Sequence, residues 1–220
     1  MFIWDFIVDF MRSVLTFFYG LTGTMGFANY GVAIILMTIA IKLVLYPLTV
    51  KQIKSMKGMQ EIQPKVKALQ EKYKGNPEKL QKEMKELYAQ AGVNPLAGCL
   101  PLLVQMPFLI AVFYVLRDYH YLQDPPSFLW VQNLSLPDPT YVLPVLSALT
   151  TYLQQKQTTT EMTQQTRMMM IFMPLFIGYI SLSFPAGLVL YWVASNIFQI
   201  VQQWYMYRGG NISKRGAAAK

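Results

Sequence analysis

Cysteine and histidine occur once each in 220 residues, and these two scarcities exclude much of the chemistry open to a chain of this size. Cys99 can form no internal disulfide, so nothing in the sequence depends on an oxidising compartment. Its apolar neighbours make it a small packing residue. His120 alone cannot form a histidine cluster for a metal. It is also the sole imidazole available to activate Ser181, Ser183 or Ser195 as a nucleophile. No HExxH, GxSxG or glycine-rich phosphate loop occurs. The chain therefore reads as a non-enzyme without a cofactor. A solute transporter or channel is the alternative class, although no inverted repeat is visible and an odd number of spans fits that architecture poorly.

Charged residues are also few, at 14%, against 54% apolar residues with 14 Met, 14 Tyr and 13 Phe. With a mean hydropathy of +0.29, the chain is too apolar for an ordinary soluble domain and reads as a polytopic membrane protein. Five apolar segments approach the roughly 20 residues a bilayer requires. The predicted transmembrane helices are 28–50, 94–117, 141–157, 168–184 and 185–207. The third and fourth are short, and a buried or re-entrant helix is an alternative for each. Residues 1–27 alternate apolar side chains with Asp5, Asp9 and Arg12, as in an amphipathic helix lying in the membrane interface. A cleaved signal peptide fits less well, because no basic start precedes the run.

Basic residues set the orientation. The 51–93 segment holds ten lysines: Lys51, Lys54, Lys57, Lys65, Lys67, Lys72, Lys74, Lys79, Lys82 and Lys85. Lys156 and Arg167 flank the 158–167 loop, and Arg208, Lys214, Arg215 and Lys220 lie in the 208–220 tail. All three regions are assigned to the cytoplasm. The 118–140 loop carries Asp118, Asp124 and Asp138 without lysine or arginine, and lies outside. The N-terminus is then external and the C-terminus cytoplasmic.

Within 51–93, Ile53, Met56, Met59, Ile62, Val66, Leu69 and Tyr73 recur at helical spacing. Pro64 is expected to kink or restart this helix. Gly75-Asn76-Pro77 then supplies a stop, an N-cap and a first-position proline. A second helix carries Leu80, Met84, Leu87 and Ala91 on one face, so the two pair as a cytoplasmic helical hairpin with lysines outward. Two readings of those lysines stay open: a solvated face near anionic lipid, or a docking surface for an acidic partner such as ribosomal RNA or a targeting receptor.

Lys42 lies in the apolar run from Gly31 to Val50, about nine residues or roughly 13 Å from the basic segment. A charge at that depth costs roughly 2.5–3.5 kcal/mol on insertion scales. Either the stem snorkels to the headgroups, or the ammonium faces a polar cavity. The second reading gains from Trp192, Asn196, Gln199 and Gln203, which share one helix face. Thr38 lies one turn before Lys42, Thr151 and Gln155 are similarly related, and Gln105 interrupts the second span. Each alone is accounted for by an interhelical hydrogen bond. Together they point to a hydrophilic groove opening to the cytoplasm.

The run Asn94-Pro95-Leu96-Ala97-Gly98-Cys99-Leu100-Pro101, with Gln105-Met106-Pro107, resembles the YidC membrane protein insertase family. So do Phe184-Pro185-Ala186-Gly187-Leu188, Leu190-Tyr191-Trp192 and Ser195-Asn196. The resemblance implies an all-α membrane protein: five transmembrane helices around a groove open to the cytoplasm and lipid but closed outside. It further implies a bacterial cell membrane location and nascent membrane proteins as substrates, with ribosome, targeting receptor, Sec translocon and lipids as partners. In this family a basic groove residue draws in the substrate's hydrophilic segment. Lys42 occupies that position, where many relatives carry arginine. Gln155 with Gln154, and Trp192, match other groove positions. The chain is similar to the compact form lacking a large external domain. A scaffold that assembles membrane proteins without inserting them is the remaining alternative.

Overall fold

The computed structural model describes residues 2–94, 100–117, 126–159 and 164–208. Eight helices lie among them: α1 Phe2–Thr24, α2 Tyr30–Val44, α3 Tyr46–Lys72, α4 Pro77–Ala91, α5 Leu100–Arg117, α6 Val142–Thr158, α7 Gln164–Ser181 and α8 Ala186–Arg208. No strand is present among the described residues, and a single antiparallel bridge joins Phe128 to Val131. Within the sequence motifs, residues 95–99 including Cys99 lie outside the described residues. The same holds for His120 and the rest of 118–125, and for the basic residues after Arg208.

The core gathers Met11 and Leu15 of α1, Ile34 and Met37 of α2, Val112, Val115 and Leu116 of α5, and Tyr191 of α8. Helix α1 is thus packed into the bundle through Met11 and Leu15, with Asp5, Asp9 and Arg12 exposed on another side. Helices α6 and α7 form a second packed pair, tied by the buried Ser147 and Ser181 hydroxyls 3.0 Å apart. A Cβ added at Gly178 would sit 3.0 Å from that of Ala148, so glycine sets this close approach.

The segment 28–50 is not one helix. Helix α2 ends at Val44, and α3 leaves it at 67°. Pro47, which has no N–H for the Leu43 carbonyl four residues back, interrupts the ladder here. Asn29 caps α2, its side chain accepting from the Val32 amide at 3.1 Å. The hairpin departs in part from its sequence signals. Helix α3 runs through Pro64 and ends at Lys72, before Gly75, which has no positive φ. Asn76 does cap α4, accepting from the Lys79 amide at 3.0 Å, and Pro77 opens it. The left-handed glycine is Gly92, at φ 63°, closing α4. Helices α3 and α4 pack together, yet α4 buries no residue completely.

One end of the bundle is capped by 126–141. The Ala186 and Gly187 amides donate to the carbonyls of Leu136 and Leu134, each at 2.8 Å. The Asn29 side-chain amide donates to the Ser127 carbonyl at 3.2 Å, and Phe128 lies so close over Gly31 that a Cβ there would meet its ring at 2.1 Å.

Among the described residues, no single helix is both long and apolar enough to cross a membrane alone; the bent pair α2–α3 passes by length and composition. Polar side chains dilute the 23-residue α8: Asn196, Gln202 and Gln203 are all buried. Many large apolar residues outside the core face outward. Phe172 is 62% and Leu175 65% exposed, with Phe6, Phe10, Phe17, Val145, Val201 and Tyr205 similarly bare. Exposed apolar side chains of this size suit contact with lipid.

Candidate functional site

A cavity of 260 Å³ lies where α5, α6, α7 and α8 face one another beside the start of α3. Its polar wall combines Gln105, Thr151, Gln154, Gln155, Trp192, Asn196 and Gln199. All seven belong to the sequence-predicted groove set. Asn196 and Gln199 are three residues apart on α8, and Thr151, Gln155 and Thr158 climb one face of α6, so helical spacing alone aligns them.

The two polar rows are bonded across the gap. Thr151 Oγ1 accepts from Trp192 Nε1 at 3.1 Å and from Asn196 Nδ2 at 3.0 Å. Asn196 Nδ2 also reaches Thr150 Oγ1 at 3.2 Å. These bonds hold α6 against α8 and orient the indole.

Lys42 and Thr38 do not line the cavity. Thr38 is buried and donates to the Ile34 carbonyl of its own helix at 2.7 Å, which disposes of its hydroxyl locally. Lys42 is 7% exposed and sits behind the wall. Its ammonium donates to Gln105 Oε1 at 3.2 Å and to Gln199 Oε1 at 3.4 Å. Gln105 in turn donates from Nε2 to the Tyr191 hydroxyl at 2.6 Å. The lysine, having only protons to give, fixes both amide oxygens toward itself. Both acceptors are neutral, so the buried cation has no carboxylate partner among the described residues.

Sequence reasoning missed Tyr191, whose buried hydroxyl accepts from Gln105. It also missed the other wall of the cavity, made by Met56, Met169, Met173 and Ile177. The spacing of four between Met169, Met173 and Ile177 was the available signal. By spacing Met56 belongs to the hairpin stripe, but it faces the cavity. Gln203 is fully buried with neither amide atom partnered, and Gln155 retains an unpartnered amide oxygen.

The hairpin lysines are a separate surface. Lys51, Lys54, Lys65, Lys72, Lys74, Lys79, Lys82 and Lys85 are exposed, whereas Lys57 and Lys67 are half-buried. At the tip, the Lys72 and Lys79 ammoniums lie 5.1 and 5.8 Å from the centre of the Tyr73 ring, within cation–π range. A shallow apolar groove runs along α4 past Leu80, Met84 and Tyr88.

Residues 20–214 match the family model described as 60Kd inner membrane protein. A relative from Wolinella succinogenes, named membrane protein insertase YidC, is 44% identical over 87% of this chain and 36% of its own length. Another of that name, from Geobacter sulfurreducens, is 43% identical over 88% of this chain and 36% of its own. The chain thus spans about a third of the length of the curated relatives it matches. A crystal structure described as an active YidC insertase with its first transmembrane domain resolved superposes with a TM-score of 0.73. It is 30% identical, covering 90% of this chain and 46% of that one.

Proposed function

The chain belongs to the 60Kd inner membrane protein family, that of YidC, and from this premise we propose that it inserts and helps fold membrane proteins. The observation that carries this reading is the buried Lys42 ammonium, held by two neutral amides at the back of a polar cavity. A buried cation without a counter-charge is costly. It is retained because a carboxylate arrives from elsewhere: the hydrophilic, often acidic, segment of a nascent membrane protein.

That segment enters the cavity from the cytoplasm, and its carboxylate takes the place of Gln105 or Gln199 on Lys42. The polar wall replaces lost water, while the adjoining apolar helix of the substrate passes into lipid along the exposed bands. No covalent step, nucleotide or metal is involved. Each 1.36 kcal/mol taken off the barrier speeds the step about tenfold. Lysine serves as a point charge here, where arginine would bind a carboxylate bidentately.

In this reading α2, α5, α6, α7 and α8 cross the bilayer, α1 lies at the external interface, and the α3–α4 hairpin and C-terminus are cytoplasmic. The hairpin lysines receive the ribosome or a targeting receptor, near anionic lipid, and the Sec translocon is a further partner.

The test is insertion of a single-span protein with an acidic external tail into liposomes holding the purified chain. Lys42→Arg should insert nearly as fast as the original, and Lys42→Ala at least about tenfold more slowly. Equal rates for all three reject the electrostatic step. If none inserts, a scaffold or a solute pathway is the better reading.

A further inference from the structure

The exposed surface of the 126–141 segment carries no charge. Asp138 is the one charged residue within it, and Asp138 is buried. The segment displays large apolar side chains instead: Leu129, Trp130, Leu136 and Tyr141 are all exposed. Turns that stand in water favour Gly, Asn, Asp and Ser at their tips.

Two of these four residues are held out at a conformational cost. Phe128 and Val131 exchange both backbone hydrogen bonds, at 2.8 and 2.9 Å, which closes a two-residue turn with Leu129 and Trp130 at its tip. Leu129 has a φ of 52°, a conformation that glycine takes without strain and a leucine does not. Its side chain is nevertheless 74% exposed, so packing in the core does not offset the strain. Tyr141, just before α6, repeats the pattern with a φ of 60° and 61% exposure. Backbone strain persists only where the surroundings over-determine it, and it gathers at sites that bind.

The crown is also firmly seated. Phe128 packs over Gly31, and the Leu136 carbonyl accepts from the Ala186 amide at 2.8 Å. Trp130 is tied through the Asp138 carboxylate to the Leu143 amide in the first turn of α6. Tyr141 leads straight into that helix, whose exposed Val142, Val145, Leu149 and Leu153 recur at spacings of three and four and form one outward row. The crown therefore continues the apolar face of α6 past its first turn.

We propose that Leu129, Trp130, Leu136 and Tyr141 form an anchor that seats this end of the bundle among the lipid headgroups of the external leaflet. Leu129 and Leu136 reach the acyl margin, and the Trp130 and Tyr141 rings lie at headgroup level, where an apolar body and a polar edge are both accommodated. With no exposed charge, nothing on the segment resists that position. Lipid is the occupant because the crown extends the α6 row that lipid covers in the reading above. The anchor rests on that placement of the bundle across a bilayer, and not on insertion activity.

The test uses the full chain with Cys99→Ser in liposomes, carrying a spin label at Leu129→Cys. Oxygen, which concentrates in lipid, and a nickel chelate, which stays in water on both sides, report the depth of the label. At Leu129 the depth should be about 5–10 Å into the headgroup boundary, as for other interfacially seated apolar side chains. Leu149→Cys on the α6 row is the reference for lipid, and Glu78→Cys, exposed on α4, the reference for water. A label at Leu129 as open to the chelate as one at Glu78 overturns the anchor. A label shielded from both oxygen and chelate means that protein covers the crown, and overturns it equally. Should Leu129→Cys not fold, Leu136→Cys is read in the same way and decides. If Leu149 itself is open to the chelate, the placement of α6 across the bilayer fails and the anchor with it; if Leu149 lies in lipid and Leu129 in water, only the anchor fails.

Discussion

Asp138 organises much of the loop around it. Only 3% exposed, it accepts at Oδ2 from the Leu143 amide at 2.8 Å and from Trp130 Nε1 at 3.4 Å. At Oδ1 it accepts from the amide and hydroxyl of Thr140 at 3.0 and 2.7 Å. Burial pushes its pKa up, but these hydrogen bonds outweigh that and hold the carboxyl below its ordinary 3.8. A group whose folded pKa is depressed contributes stability above its unfolded pKa and loses it as pH falls through the folded one. Asp138→Asn should therefore cost about 2 kcal/mol at pH 7, and its deficit against the original chain should shrink below about pH 4. Thermal unfolding in detergent across pH 7 to 2 checks this, and a deficit independent of pH contradicts it. From the sequence Asp138 was legible only as a negative charge marking a loop. Its capping role depends on a turn that carries it back to the second residue of α6, a geometry the local pattern does not state. Lys42 was legible as a residue needing a partner, yet both its partners lie far along the chain, and only the packing of α2, α5 and α8 selects them.

Among the elements, α2 and α3 were the hardest to separate, because the apolar run continues past Lys42 to Val50 without a change in composition. Pro47 was the signal, but hydropathy outweighed it. Pro47→Ala restores the donor for the Leu43 carbonyl and should straighten the junction. Spin labels at Leu36 and Lys54, nine residues either side of Leu45, should then separate by about 4 Å more than across the 67° bend. No change in their distance would mean that packing, not proline, holds the angle. The pairing of α4 with α3 was readable from its apolar spacing. Its termination was not, since both Gly75 and Gly92 look like stops and only the folded turn distinguishes them. The α8 stripe was the most legible element: it needed periodicity alone, and the structure seats Trp192, Asn196 and Gln199 on the cavity.

For the whole molecule, helix lengths set a constraint that no single side chain reveals. Helices α6 and α7, at 17 and 18 residues, extend about 26–27 Å, short of a hydrocarbon core of about 30 Å. Each ångström of mismatch costs a fraction of a kcal/mol, so insertion should slow at least about twofold in lipids whose core is about 5 Å thicker. Reconstitution in a series of acyl-chain lengths measures this, and a flat series excludes it. The all-helical fold was legible in composition and in runs of apolar residues. The methionine wall and the cap were not, because both are made by segments that meet only after folding. The cap has one consequence of its own. Living membranes hold an electrochemical gradient, and a wet passage through the lipid would discharge it like a fault in an insulator. Where the bundle spans a membrane as proposed above, the 126–141 segment, closing one end with backbone amides bonded to carbonyls, would keep a wet interior from becoming a leak.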